Sequence, residues 1–235
     1  MSIHGISSMA TRQVLADLAA QWQRQSGGSV TFESVGGVDA ARRVKEGEAF
    51  DVVVLAADAI EKLVDAGRVV AGSQVPLFDS GVAVAVRAGA AQPAIATEDD
   101  VRRAILAAPT VGYSTGPSGV ALVKQFERWG IADEIRGRIV QAPAGVPVGA
   151  LLARGEVALA FQQLSELIHV EGIAVVGPLP PAIQITTTFT AGVCTASQHA
   201  GAVRDLLDFM SSPQAADATR RQGMEPAQPS KEKSK

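Results

Sequence analysis

Two hydroxyl-bearing turns stand far apart in this chain: Gly5-Ile6-Ser7-Ser8-Met9-Ala10-Thr11 and Gly112-Tyr113-Ser114-Thr115-Gly116-Pro117-Ser118-Gly119. Each follows a short apolar run that reads as a strand, and each opens an amphipathic helical pattern. Such a turn offers unpaired backbone N–H groups, hydroxyl donors and the positive end of a helix dipole, which is anion-binding chemistry. Serine is a preferred N-cap in any helix, so either turn alone reads first as a cap. Two of them, on separate halves of one chain, can close on one small anion through Ser7, Ser8, Ser114 and Ser118. In the second turn Gly116 and Gly119 permit a tight backbone approach, and Pro117 fixes the bend. Gly36-Gly37 is a third strand-to-helix turn, and a plain connection explains it equally well. Gln162-Gln163 ends an apolar run. Exposure in a loop is the plain reading of that pair. Amides at a strand end of an α/β chain also face the crevice where ligands bind, and there they need partners.

A phosphate-binding P-loop and a histidine metal site are both missing from the sequence. Gly116-Pro-Ser-Gly119 lacks the spacing and the Gly-Lys-Ser/Thr of a P-loop, and Lys124 falls inside the following helix. His4, His169 and His199 show no metal-ligand spacing, and nothing places them in a Ser-His-Asp arrangement. His4 reads as a strand-end residue and His169 as helix surface. The lone Cys194, in an apolar run, reads as a small core residue.

Composition narrows the classes. Hydrophobic residues make up 47% and charged residues 19% of 235 residues, which is enough for one large or two small packed domains. Aromatics at 4% and a net charge of −3 argue against a nucleic-acid surface. One cysteine permits no internal disulfide and no cysteine metal cluster, and no cofactor or metal is expected. No apolar stretch approaches the ~20 residues of a membrane span. Met1 leads almost directly into Ile3-His4-Gly5-Ile6 with no leader pattern. A cytoplasmic protein is therefore expected as the chain stands, and a periplasmic one if a leader was removed.

The elements that must position these residues alternate. Strand patterns cover Val30–Val35, Asp51–Ala56, Val82–Val86, Thr110–Ser114, Arg138–Ala142, Val157–Gln162 and Ile173–Val176, with a long one from Ile185 to Thr195. Val14, Leu15, Leu18 and Trp22 share a helical face, as do Val120, Val123, Phe126 and Ile131. Gly67 reads as a helix stop, Thr97 with Asp100 as a capping box, and Ser212-Pro213 as an N-cap with proline at N1. The polar tail from Pro226 to Lys235 is expected to fray. The pattern is an α/β chain with mostly parallel sheets. It is expected to cross from a first lobe (1–82 and 190–235) into a second (83–189) and back, with hinges at both crossings and a ligand cleft at the centre.

Several segments, taken in order along nearly the whole chain, carry a resemblance. They are Phe32-Glu-Ser-Val-Gly-Gly-Val-Asp-Ala-Ala-Arg-Arg-Val44, Asp51-Val-Val-Val-Leu-Ala-Ala-Asp58, Gly155-Glu-Val-Ala-Leu-Ala160, Val176-Gly-Pro-Leu-Pro180 and Ser212-Pro-Gln-Ala-Ala216. Together they resemble the substrate-binding proteins of molybdate-type ABC importers, which have the two-lobed type II periplasmic binding protein fold. The resemblance implies an oxyanion held by two serine hydroxyls, backbone N–H groups and a tyrosine. Ser8 falls on the first serine and Gly37 on the second. Ser118 and Val146 fall on the backbone donors, and Gln163 on the tyrosine, with Gln162 beside it. Gly37 brings no hydroxyl and Gln163 brings an amide. A site built to hydrogen-bond one ligand rejects others strongly, so these changes turn the expectation from a molybdate-like oxyanion toward an organic di- or tricarboxylate.

Three functions follow as expectations. The first is a binding protein that closes on such an anion, with a transporter as partner. The second is a carboxylate isomerase on the same scaffold, of the aconitate isomerase kind, with His4 and Glu33 as candidate bases. The third is a cytoplasmic sensor domain with a partner protein.

Overall fold

The computed structural model describes residues 2–143 and 145–227. The chain falls into two units, Met1–Asp79 with Thr188–Lys235, and Ser80–Thr187. The sequence placed these crossings at 82/83 and 189/190. Both lie inside uninterrupted strands, where apolar patterning carries no mark of the residue at which packing partners change.

The first unit begins with β1 (Ser2–Ser8), α1 (Arg12–Ser26), β2 (Ser29–Val35), α2 (Gly37–Glu46), β3 (Val52–Ala56) and α3 (Ala57–Asp65). Strand β4 (Val75–Arg87) then carries the chain into the second unit. There follow α4 (Glu98–Ala107), β5 (Val111–Tyr113), α5 (Pro117–Arg128), α6 (Ala132–Ile135), β6 (Ile139–Gln141), α7 (Val148–Ala153), β7 (Leu159–Gln163), α8 (Leu164–Leu167) and β8 (Ile173–Pro178). Strand β9 (Thr186–Val193) returns the chain, and α9 (Ala200–Met210), α10 (Ala216–Arg221) and β10 (Glu225–Pro226) complete the first unit.

In the first unit β1 pairs in parallel with both β2 and β3, with Ile6 opposite Glu33 on one side and Val53 on the other. All five residues of β3 are buried, the continuous apolar run of a strand covered on both faces. One core on this sheet joins Val14, Leu15 and Leu18 of α1 to Leu206 and Leu207 of α9, and the other joins Ile60 and Leu63 of α3 to Phe50. In the second unit β5 pairs in parallel with β6 and β7. Again two cores form: Phe126 with Ile105 and Phe161, and Leu151 and Leu152 with Ala160 and Leu167.

The sheets are more mixed than the sequence suggested. β9 runs antiparallel to β3, and β4 antiparallel to β7 and β8. The strands that change unit run against their neighbours, which an alternating strand–helix pattern does not reveal.

Local signals explain the element ends. Helix α3 stops where Gly67 takes φ +68, a left-handed conformation that glycine adopts without cost. Thr97 and Asp100 form a reciprocal capping box at α4. Three local expectations fail. Val120 is 54% exposed, and Leu122 takes its place on the buried face of α5. The Ser212 hydroxyl donates back to the Phe209 carbonyl at 2.7 Å instead of capping the turn that Pro213 opens. Pro226 pairs with Phe78 on β4, and the Ala227 N–H reaches the Leu77 carbonyl at 3.0 Å, so the start of the tail is held. The remainder of that tail, 228–235, lies outside the described residues.

Candidate functional site

Strand β1 delivers Ser7 and Ser8 at its carboxyl end. The Ser7 hydroxyl lies 2.8 Å from the Ser34 hydroxyl and reaches the Ser8 carbonyl at 3.3 Å. Ser7 is fully buried. Its hydrogen-bonding capacity is spent inside the unit, so it leaves the donor set. Ser8 behaves differently. A single 3-10 turn, Met9–Thr11, intervenes before α1, and Ser8 at its N-cap makes no side-chain capping bond. Thr11, which the sequence reading passed over, closes the turn through its hydroxyl on the Ser8 carbonyl at 3.0 Å. The Ser8 hydroxyl is left buried with no partner among the described residues. The plain cap reading therefore fails for Ser8. Gly37 opens α2 beside it, and a Cβ there would lie 3.6 Å from the Ser8 Cβ. That is ordinary contact, so space does not demand glycine. Its N–H sits in the first helical turn, where no intrahelical acceptor exists.

In the second unit the parallel register sets Tyr113 opposite Phe161, so β5 and β7 end on the same edge. Ser114 and Ser118 bring their hydroxyls within 3.4 Å of each other. Ser118 is buried at the second position of α5, behind Pro117 at the first. Gly119 is required here: a Cβ would sit 1.8 Å from the Ser114 carbonyl oxygen. Gly116 has no such constraint, its nearest neighbour being the Ser114 hydroxyl at 3.8 Å. Val146 was expected to offer its N–H. That group instead donates to the Pro143 carbonyl at 3.0 Å within a tight turn, and it is committed.

Both glutamines at the end of β7 are buried. They serve opposite faces, as neighbours on a strand must. Gln162 accepts a hydrogen bond from the Gly149 N–H at 3.2 Å. Gln163 donates from Nε2 to the Thr187 hydroxyl at 2.9 Å, and its Oε1 has no partner among the described residues. The hydroxyls of Ser165 and Ser80 are also buried without one. Ser80 stands two residues before Val82, which pairs with Gln163. Native interiors hold few such atoms, and each asks for an explanation. Among the described residues three of the four, on Gln163, Ser165 and Ser80, belong to residues within two positions of the Val82–Gln163 pair, and the fourth is Ser8.

Neither expected base survives. His4 lies four residues before Ser8, about 13 Å away at strand rise. Its N–H bonds to the Asp51 carboxylate at 2.9 Å, and its ring rests against Phe50. Glu33 is paired with Arg43 at 2.6 Å, and that guanidinium holds its carboxyl below the usual range. The Cys194 thiol is pushed up to about 12 by burial, with Asp51 adding to the effect, as befits an inert core residue.

Glu166 is the carboxylate that the sequence reading missed. Burial pushes it up to about 7, against the opposing hydrogen bond from Gln162. Its spacing of four from Gln162 was visible, but the short helix that makes the spacing meaningful was not. A carboxyl raised in the folded state binds its proton more tightly there than in the unfolded chain. Its contribution to stability is full below about 4.5 and is lost as pH rises through about 7. Denaturation of the wild type should show this loss, and Glu166→Gln should remove it.

Among the described residues no group of three or more His, Cys, Asp or Glu is placed to hold a metal, and no helix is long and apolar enough to cross a membrane.

The fold is that of the type II periplasmic binding proteins. The periplasmic molybdate-binding protein of Azotobacter vinelandii superposes with a TM-score of 0.80 at 20% identity, covering 97% of this chain and 99% of that one. The sulfate-binding protein SubI of Mycobacterium tuberculosis does so at 0.77 and 18%, covering 97% and 88%. Residues 3–225 match the family described as bacterial extracellular solute-binding protein, and the chain belongs to that family. A protein named aconitate isomerase, from a Pseudomonas species, is 40% identical over 190 residues, which are 80% of this chain and 72% of that protein.

Proposed function

We propose that the chain binds a small organic tricarboxylate and interconverts the isomers of aconitate. The observation that carries this reading is the 40% identity to an aconitate isomerase over four-fifths of the chain. The orphaned polar atoms support it. In this reading the Ser8 hydroxyl and the Gly37 N–H are the donors that the first unit offers. The Ser118 hydroxyl and the Gln163 amide are the donors that the second unit offers.

The donor chemistry favours a carboxylate over a tetrahedral oxyanion. Gly37 offers an N–H where the molybdate-type pattern has a hydroxyl. Gln163 offers an amide where that pattern has a phenol. Among the described residues the one hydrogen-bond partner of that amide is the Thr187 hydroxyl. A hydroxyl both donates and accepts, so the amide can turn to present either its carbonyl or its NH2 to the ligand. With its carbonyl oxygen turned to accept from the Thr187 hydroxyl, its NH2 donates to a carboxylate oxygen, which only accepts.

A thermal-shift panel of molybdate, tungstate, sulfate, phosphate, citrate, the aconitates and C4 dicarboxylates tests this. A ligand at 100 times its Kd adds about 2.7 kcal/mol of stability, a shift of several degrees. A shift with the aconitates and none with molybdate or tungstate is expected. A shift confined to the inorganic oxyanions would make the chain an oxyanion carrier.

A further inference from the structure

We infer that Thr187 is the residue that fits this site to an ionised carboxylate: with ligand bound, its hydroxyl donates to the Gln163 carbonyl oxygen and frees the amide NH2 for the ligand. The inference rests on the carboxylate site proposed above and assigns that site a positioning residue. Both residues lie in the second unit. Gln163 ends β7, where it stands opposite Val82 of β4, and its side chain makes no capping bond to the helix that follows. Its amide meets Thr187 on β9, with Nε2 donating to the Thr187 hydroxyl at 2.9 Å. Its Oε1 is buried and has no partner among the described residues. A glutamine that serves only the fold looks different. Gln184, three residues before Thr187, accepts at Oε1 from the Val82 and Ile185 N–H groups at 3.0 and 2.8 Å, and donates from Nε2 to the Leu179 carbonyl at 3.3 Å. Both ends of that amide are spent, whereas one end of the Gln163 amide is left over. A buried polar atom without a partner costs the fold free energy, and an arriving ligand can relieve that cost.

As it stands, the amide offers a carboxylate the wrong end. Its free atom is an acceptor, and so is every oxygen of an ionised carboxylate. The last torsion of a glutamine side chain is broad and roughly two-fold, so half a turn exchanges Oε1 and Nε2 without displacing the rest of the side chain. Thr187 allows that exchange. Its hydroxyl accepts from Nε2 before the turn and donates to Oε1 after it, so one tether serves both settings. The NH2 group then donates to the carboxylate in a charge-assisted bond. Valine in this place would tether neither end, and an acceptor-only side chain would lock the amide with its carbonyl oxygen outward. The strand that carries Thr187 is itself held: the next residue, Thr188, donates from its hydroxyl to the Asp79 carboxylate of β4 at 2.6 Å. Thr187 is thus a positioning residue that acts on the ligand through Gln163.

The test is a double-mutant cycle on the full chain, read as trans-aconitate affinity by calorimetry, with urea denaturation to show that each variant is folded. The variants are Thr187→Val, Thr187→Ser, Gln163→Met and the pair Thr187→Val with Gln163→Met. Thr187→Val should raise Kd about 3- to 10-fold, the size expected for one hydrogen bond. Thr187→Ser restores a hydroxyl and should recover that loss to within about twofold of the wild type. In the Gln163→Met background Thr187→Val should change Kd by less than about twofold, because no amide remains to be positioned. Thr187→Ala takes the place of the valine variant should valine fail to fold. Equal losses in both backgrounds would overturn the assignment and make Thr187 either a direct contact or a purely structural residue. An unchanged Kd for Thr187→Val, or a serine variant as weak as the valine one, would overturn it too. A wild type that binds neither isomer of aconitate would sink the carboxylate reading itself, and the assignment with it.

Discussion

Ser8→Ala is expected to leave the unliganded chain at least as stable as the wild type while weakening carboxylate binding by about 1–3 kcal/mol, or about 5- to 150-fold. The two effects have opposite signs for one reason. The Ser8 hydroxyl is buried and has no partner among the described residues. It has been taken from water without compensation, which costs the unliganded fold free energy. Alanine removes that cost and leaves no partner stranded. In the liganded protein the same hydroxyl gains a charged acceptor, and alanine forfeits the bond. Urea denaturation without ligand and calorimetry with it separate the two effects. A variant that loses stability and keeps its affinity would make Ser8 a structural residue.

The second large effect falls on the other turn. Gly119→Ala places a Cβ 1.8 Å from the Ser114 carbonyl oxygen, with Tyr113 Cδ2 only 3.0 Å away. The obstacle is backbone, which cannot swing aside as a flexible side chain can. Overpacking of this kind costs about 1–3 kcal/mol. The displaced segment also holds Ser118, so affinity should fall with stability. Gly116→Ala, whose nearest neighbour is the Ser114 hydroxyl at 3.8 Å, should cost less than about 1 kcal/mol, the difference in cap preference. Equal stability for the two variants would mean that the Ser114–Ser118 turn is looser than the structure shows.

The contrast between these residues shows how far the sequence could be read. The strand–turn–helix pattern put Ser8 and Gln163 at strand ends and Gly37 and Ser118 at helix starts, because apolar periodicity and turn glycines mark those ends directly. It did not show whether a serine at such an end is spent. Ser7 and Ser8 are adjacent and chemically identical, yet the hydroxyl of one bonds to Ser34 across the parallel register and that of the other to nothing among the described residues. That difference depends on which strand lies beside β1, a long-range fact. Val146 failed in the same way, its N–H claimed by a turn.

Candidate bases were chosen for their closeness to strand ends along the chain. His4 sits on the wrong half of β1, and Glu33 faces Arg43 from another element. Glu166 escaped notice because its environment comes from burial and from Gln162, which a linear pattern does not display. The antiparallel strands that change unit were hidden likewise, since strand direction is settled by the return path and not by side-chain alternation.

The most direct test is to incubate the purified chain separately with cis- and with trans-aconitate in D2O and follow both by proton NMR. The account predicts that the two samples converge on one isomer mixture. Substrate C–H signals should fade where exchanged protons are replaced by deuterium. Two unchanged spectra, under conditions where calorimetry shows the ligand bound, would contradict it and leave a carboxylate-binding protein without the isomerase activity.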